Sequence, residues 1–287
     1  MIGNGIFFFV SGYTLYFSLQ RIQLKWNEIV LWFAKRLLRI YPAYWVYIIV
    51  CQAFDVRMGG GVRFVDLFVT NYWFLNSIIV CYAIYFVIVK FLFRYWPVCF
   101  CISGLMFAIL LALYADSGDA LIIEGQLKCF RWFYLFQIML LGGYAASDEI
   151  KTRPKQDLAL AMLFLVLYYA YKAVCIRLNI YYLQLLLPIL LIVLIYYTYS
   201  TVCRYAQRFD FSAAKWKPVY AISKLTLEIY IVQFAVIRFF TAYHFPIGLL
   251  CAIVSILLTA GVLHYVTQWI QRPILSFLQK YLLLNYE

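Results

Sequence analysis

Apolar residues along this chain neither alternate nor keep to one side of a 3.6-residue period. They come in long runs, at about 5–19, 41–54, 70–93, 97–114, 128–146, 157–176, 181–201, 219–240 and 246–270. A helix that is apolar all round has no water-facing side and must be buried in protein or lipid. Most of these runs approach the roughly 20 residues that a helix needs to cross a hydrocarbon core, the first two being the shortest. The pattern predicts an all-α fold: a polytopic transmembrane bundle of about nine helices forming a single domain over residues 1–287. Prolines punctuate this plan. Pro42, Pro97, Pro218 and Pro246 are expected to open spans, Pro273 to follow one and Pro154 to lie in a loop, where a missing N–H costs a helix least. Pro188 falls inside a run and predicts a kink. The chain shows no internal repeat or matched pair of Gly-broken helices of the kind that builds many transporters.

Composition strengthens the membrane reading. Hydrophobic residues make up 67% and charged residues 13% of the 287, with a mean hydropathy of +0.86; a soluble domain is roughly half apolar and a quarter charged. The Trp residues mostly sit near the ends of apolar runs, as interfacial belts require. A net charge of +12 would suggest nucleic acid in a soluble protein. Here the basic residues fall in connections between runs, where they mark cytoplasmic loops and anionic headgroup contacts, and no aromatic–basic binding module is visible. The lipid bilayer is the expected partner and nucleic acid is not. The eight Cys lie scattered without paired metal or redox spacing, so they read as small hydrophobes and no metal site is expected. The start carries no signal-peptide pattern.

Alternate connections differ in basic charge. One set holds Arg21, Lys25, Lys35, Arg36, Arg39, Lys90, Arg94, Lys151, Arg153, Lys155, Arg204, Arg208, Lys215, Lys217, Arg272 and Lys280. The thinner set, with Arg57, Arg63, Lys128, Arg131, Lys172, Arg177 and Arg238, also carries Asp116, Asp119 and Glu124. The positive-inside rule makes the first set cytoplasmic, with the C-terminus inside and residue 1 outside. A bacterial inner membrane is the expected location. An outward first residue without a signal sequence suggests that a preceding helix is missing, which would bring the count to ten.

Three segments carry candidate chemistry. Phe7-Phe8-Phe9-Val10-Ser11-Gly12-Tyr13 is an apolar helix with a small polar notch, suited to close helix packing or to lining a cavity. In Trp32-Phe33-Ala34-Lys35-Arg36-Leu37-Leu38-Arg39-Ile40-Tyr41-Pro42, Arg36 and Arg39 share a helical face. Paired guanidiniums at a cytoplasmic boundary suit a diphosphate or phosphorylated nucleotide, which each can chelate; headgroup anchoring remains the alternative. On a later helix, Glu228 either pairs with Lys224 one turn earlier or faces a substrate cavity with Thr226, Tyr230 and Gln233.

These segments, with Tyr72-Trp73-Phe74-Leu75, resemble the acyltransferase-3 family of integral membrane acyltransferases. Its F-F-x-x-S-G-(F/Y), R-x-x-R-(I/L)-x-P and W-F-L patterns recur here, and Leu227-Glu228-Ile229-Tyr230-Ile231-Val232-Gln233 looks like its S-x-x-(I/L)-Y-L-x-H helix, in order across about residues 5–270. The resemblance implies about ten transmembrane helices and a cytoplasmic acyl-CoA donor, usually acetyl-CoA, with no permanently bound cofactor. It implies acyl transfer to hydroxyls of saccharides, lipids or small molecules at the membrane. By the same resemblance Lys35, Arg36 and Arg39 would meet the CoA phosphates, and Ser11, Gly12, Tyr13 and Trp73 would line the acyl cavity.

Two departures follow. In the family, the helix before F-F-x-x-S-G carries an arginine and a histidine thought to be the general base, and that helix is absent here. Gln233 stands where many relatives have His, and an amide cannot act as a base. No catalytic residue is assigned: His244 and His264 are expected to be interfacial or packing residues, and Arg131 and Arg238 to snorkel. The expectation is an acyltransferase whose given sequence starts late, with weak or no turnover in this form, and with a cell-surface or exported saccharide, free or lipid-linked, as acceptor. A flippase or transporter of an anionic glycan or lipid, and an inactive relative that binds acyl-CoA, stay open as alternatives.

Overall fold

With so many apolar residues and so few charges, a backbone in hydrocarbon must satisfy its own hydrogen bonds, and a helix does this within one segment. The structure is a computed structural model and describes residues 2–53, 67–70, 72–113, 130–147, 154–178, 182–206, 209, 211 and 214–284. Among these every regular element is helical: α1 (Ile2–Gln20), α2 (Trp26–Ala53), α3 (Trp73–Val87), α4 (Trp96–Leu113), α5 (Phe130–Ser147), α6 (Pro154–Leu178), α7 (Leu186–Ala206), α8 (Lys217–Lys224), α9 (Thr226–Phe240) and α10 (Ile247–Leu284). All but α8 have 15 residues or more and answer to the nine predicted runs.

Five helical segments among the described residues are long and apolar enough to cross a membrane, or six if the bent pair ending in α9 counts as one. Helices α2 and α5 have the length but mix Lys35, Arg36, Arg39 and Arg131 with their apolar residues. Large apolar side chains face outward, among them Leu258, Val262 and Val166, each more than 60% exposed. Water would not favour such a surface and lipid does.

The boundaries differ from the sequence expectation where proline is concerned. Helix α2 starts at Trp26 and runs through Pro42, and α10 runs through Pro273, so neither proline ends or opens a helix. Pro154 is the first residue of α6 rather than part of a loop. Pro188 is the third residue of α7, just after a 3₁₀ turn over Tyr182–Leu185, in the one turn whose N–H groups have no intrahelical partner, so it imposes no mid-helix kink. Pro97 and Pro218 are second in α4 and α8, and Pro246 immediately precedes α10, as predicted. Between α3 and α4, where a loop with Lys90 and Arg94 was expected, the chain stays helical through a π turn (Ile88–Leu92) and a 3₁₀ turn (Phe93–Tyr95). Asp116, Asp119, Glu124 and Cys129 lie outside the described residues.

The helices sort into two compact units. The first holds α1 and α3 to α7. Its α1 and α5 cross at backbone contact: a Cβ added to Gly12 would lie 1.9 Å from the Met139 carbonyl oxygen, and one on Gly142 would lie 2.0 Å from that of Phe9. The Tyr85 hydroxyl fills the space a Gly143 side chain would need and donates to the Gly12 carbonyl at 2.8 Å. Helices α6 and α7 are joined by the buried Ser200 hydroxyl, which donates to Asp157 Oδ2 at 2.7 Å.

The second unit holds α2, α8, α9 and α10, with α10 packed on both α2 and α9. Before α3, Tyr72 bonds the Tyr47 hydroxyl at 3.0 Å and the Ile231 carbonyl at 2.8 Å, joining its segment to α2 and α9.

Candidate active site

The two arginines on α2, three residues apart, have different surroundings. The Arg36 guanidinium lies 4.5 Å from the Trp32 ring centroid, a cation–π contact on its own helix. Arg39 reaches across to α8 and α9. Lys224 ends α8, Leu225 leaves the α-helical region (φ −91°, ψ 2°), and α9 departs with its axis turned by 62°. Such a break strands carbonyls at the end of one helix and N–H groups at the start of the next. The Arg39 Nη2 donates to the Lys224 carbonyl at 2.8 Å, while Glu228, in the first turn of α9, places a carboxylate where a helix favours negative charge.

Arg39 and Glu228 meet as a two-pronged pair. Nη1 lies 3.2 Å from Oε1 and Nη2 lies 3.2 Å from Oε2. The Glu228 side chain is fully buried, whereas 38% of the Arg39 side chain is exposed. The expected one-turn pairing of Glu228 with Lys224 needs a continuous helix. The interruption at Leu225 removes that continuity, so the Lys224 backbone, not its ammonium group, enters the cluster.

From α10, His264 completes the site. Its Nδ1 lies 2.8 Å from Glu228 Oε1. A carboxylate can only accept, so Nδ1 carries the proton. The 3.5 Å approach of Arg39 Nη1 to the same nitrogen is then donor against donor, the result of sharing Oε1 rather than a bond. On the other side Gln268 Nε2 lies 2.7 Å from His264 Nε2, and Arg272 Nη2 donates to Gln268 Oε1 at 2.9 Å. The Arg272 contact fixes which end of the amide is oxygen, so the Gln268 NH₂ donates to the ring and His264 Nε2 is an acceptor. In this arrangement Nδ1–H faces the carboxylate and the Nε2 lone pair faces Gln268.

Pro42 explains a further link. Without an N–H at position 42, the Leu38 carbonyl lacks its helical donor. The Gln271 amide of α10 supplies one by bonding the Leu38 oxygen. His264, Gln268, Gln271 and Arg272 recur at spacings of four, three and one along α10, a single polar stripe.

The cluster lies where three helices change character. Residues 247–263 of α10 carry no ionisable group except Cys251, and polar residues follow from His264. In α2 the charges end at Arg39 and residues 40–53 carry none; in α9 Glu228 sits at the start, ten residues before Arg238. Such transitions mark the edge of the hydrocarbon layer.

The remaining candidates are distributed as follows. Lys35 is exposed on α2. Tyr230 packs against Tyr72 and Phe234, with ring centroids 6.0 and 6.2 Å away, and Gln233 is half-buried one turn on. Ser11, Gly12, Tyr13 and Trp73 belong to the first unit: Gly12 is filled by the Met139 backbone, Tyr13 lies 5.7 Å from Tyr199, and Trp73 stacks under the Arg131 guanidinium at 4.7 Å. That stacking, rather than a solvent-seeking pose, is what Arg131 adopts. His244 is exposed in the turn before Pro246. Sequence reasoning expected His264 to be an interfacial or packing residue; its contact with Glu228 belongs to the polar stripe down α10 that begins there. Among the described residues no group of three or more His, Cys, Asp and Glu could hold a metal ion.

Compared with known families, the sequence matches the acyltransferase-3 family, described as an acyltransferase domain, over residues 1–277. No curated protein and no solved structure matches the chain. The chain belongs to the acyltransferase-3 family, and that membership supports a membrane acyltransferase.

Proposed function

We propose that this family member passes an acyl group, acetyl foremost, from acyl-CoA to a hydroxyl of a cell-surface or exported saccharide, from a bacterial inner membrane with its C-terminus in the cytoplasm. The observation that carries the acyl-transfer reading is the family match across nearly the whole chain. The basic turn of α2 supports acyl-CoA as donor: Lys35 is exposed, Arg36 is half-buried beside it, and Arg39 keeps a third of its side chain open while Glu228 fixes its orientation. Guanidinium and ammonium groups at a hydrocarbon edge can hold the nucleotide phosphates while the acyl chain enters the apolar interior. The excess of basic residues in the connections that include this turn supports a cytoplasmic approach.

The test uses the protein in lipid nanodiscs with radiolabelled acetyl-CoA and a panel of saccharides. The expected product is alkali-labile label on the saccharide, with one free CoA thiol released per acyl group. Lys35→Ala combined with Arg36→Ala should raise the KM for acetyl-CoA about tenfold or more, the effect of losing charge-assisted bonds to phosphate. No binding and no consumption of acetyl-CoA, with any acceptor, would contradict the reading.

A further inference from the structure

We infer that α8, with the turn before it, is an interfacial helix that docks on anionic phospholipid headgroups at the bilayer surface where α9 begins. The inference goes beyond acyl transfer, and its test uses no acyl-CoA.

Helix α8 has eight residues and buries none of them. A two-turn helix gains too little from its own hydrogen bonds to persist in water, so it needs a surface to pack on. Its pattern says which surface. At 3.6 residues per turn Lys217, Ala221 and Lys224 fall on one face, and Val219 and Ile222 on the opposite one. The two apolar side chains are 52% and 48% exposed. Lys215 adds a third ammonium group from the 3₁₀ turn Ala214–Trp216. No Asp or Glu occurs between residues 211 and 227, and none of the three lysines pairs with a carboxylate among the described residues.

A basic face opposite an exposed apolar one is the arrangement of a helix lying in the headgroup layer, with its apolar side against the acyl chains and its ammonium groups among phosphates. The position in the chain agrees. Glu228, in the first turn of α9, stands at the edge of the hydrocarbon layer, and the 62° turn at Leu225 carries α8 out of line with that span. Phe211 lies 5.2 Å from the Trp216 ring, and the Tyr220 hydroxyl donates to the Phe211 carbonyl at 3.2 Å, an aromatic group suited to the same layer. Lysine stems are long enough to lie along apolar surface while their charges reach the headgroups. Docking has a consequence for the cluster described above. Lys224 ends α8 and gives its carbonyl to Arg39, so headgroups that hold α8 also hold one of the contacts that orient this guanidinium.

The test places the full chain in nanodiscs of an equimolar mixture of phosphatidylcholine and phosphatidylglycerol. Two preparations differ only in which lipid carries acyl-chain bromines just below the headgroup, which quench nearby tryptophan fluorescence. The share due to Trp216 is the difference between the wild type and Trp216→Phe. Brominated phosphatidylglycerol should quench Trp216 at least about twofold more than brominated phosphatidylcholine, because basic residues collect anionic lipid around them. High salt should shrink this excess. Lys215→Gln, Lys217→Gln and Lys224→Gln together should make the two lipids equal, and Val219→Ser with Ile222→Ser should lower quenching by both. Equal quenching by the two lipids in the wild type, or an excess that survives loss of all three lysines, overturns the inference. Quenching by neither lipid would mean that a protein surface covers α8, and overturns it as well.

Discussion

The α1–α5 crossing in one unit and the α2–α9–α10 cluster in the other both grow from short sequence motifs, and they hold helices together by opposite means. Around Gly12 and Gly142 the contact is backbone on backbone, with no side chain between and no space for one. Around Arg39 the helices are joined by long polar side chains: guanidinium, carboxylate, imidazole and amide. Within hydrocarbon, close approach of small residues gains dispersion contacts without leaving a polar group unsatisfied. Buried charges gain little net stability and constrain geometry instead. The first arrangement is a scaffold and the second is the one we propose for chemistry, although the motif that builds each is equally short.

Substitutions separate the two. The largest effect is expected at the crossing. Gly12→Ala or Gly142→Ala drives a methyl into a carbonyl that cannot rotate aside, and should destabilise by about 3 kcal/mol or more, the upper end of overpacking; thermal unfolding in detergent reads this, and unchanged stability would mean the helices do not touch there. Next, Glu228→Ala or Arg39→Ala leaves one charge without its partner, with an expected loss of about 3 kcal/mol. Lys224→Ala should stay within about 0.5 kcal/mol of wild type, since only its backbone carbonyl takes part. If Lys224→Ala matched Glu228→Ala, the pairing described here would be wrong. The smallest of the specific effects is at Gln271. Replacing it by Leu strands the Leu38 carbonyl, for about 1–2 kcal/mol, and adding Pro42→Ala should recover part of this because alanine at that position restores the missing backbone N–H.

The contrast also explains how far the sequence could be read. Long apolar runs located the nine longer helices among the described residues because hydrocarbon imposes length and composition directly on each segment. Pro42 and Pro273 misled as boundaries: a proline in a helix interior is tolerated when a neighbour supplies the lost donor, and for Pro42 that neighbour, Gln271, lies more than 200 residues away in sequence. The small-residue motif at Ser11-Gly12 left packing and cavity both open, and Gly12 packs because α5 brings its own glycine pair, a partner visible only in three dimensions. Spacing suggested Lys224 for Glu228, and it failed because it presumes an unbroken helix. A lone histidine in an apolar segment carries little weight by itself. His264 acquires its meaning from Gln268, Arg272 and Glu228 together, of which the first two were legible as a stripe on one helix face.

The most direct test of the central claim, that the polar ends of α2, α9 and α10 form the donor site, is photolabelling with a light-activated acyl-CoA analogue followed by peptide mass mapping. The label should fall on peptides spanning Lys35–Arg39 and His264–Arg272 and be competed away by unlabelled acetyl-CoA. Competable label confined to α6 and α7, with none on those two stretches, would contradict the account.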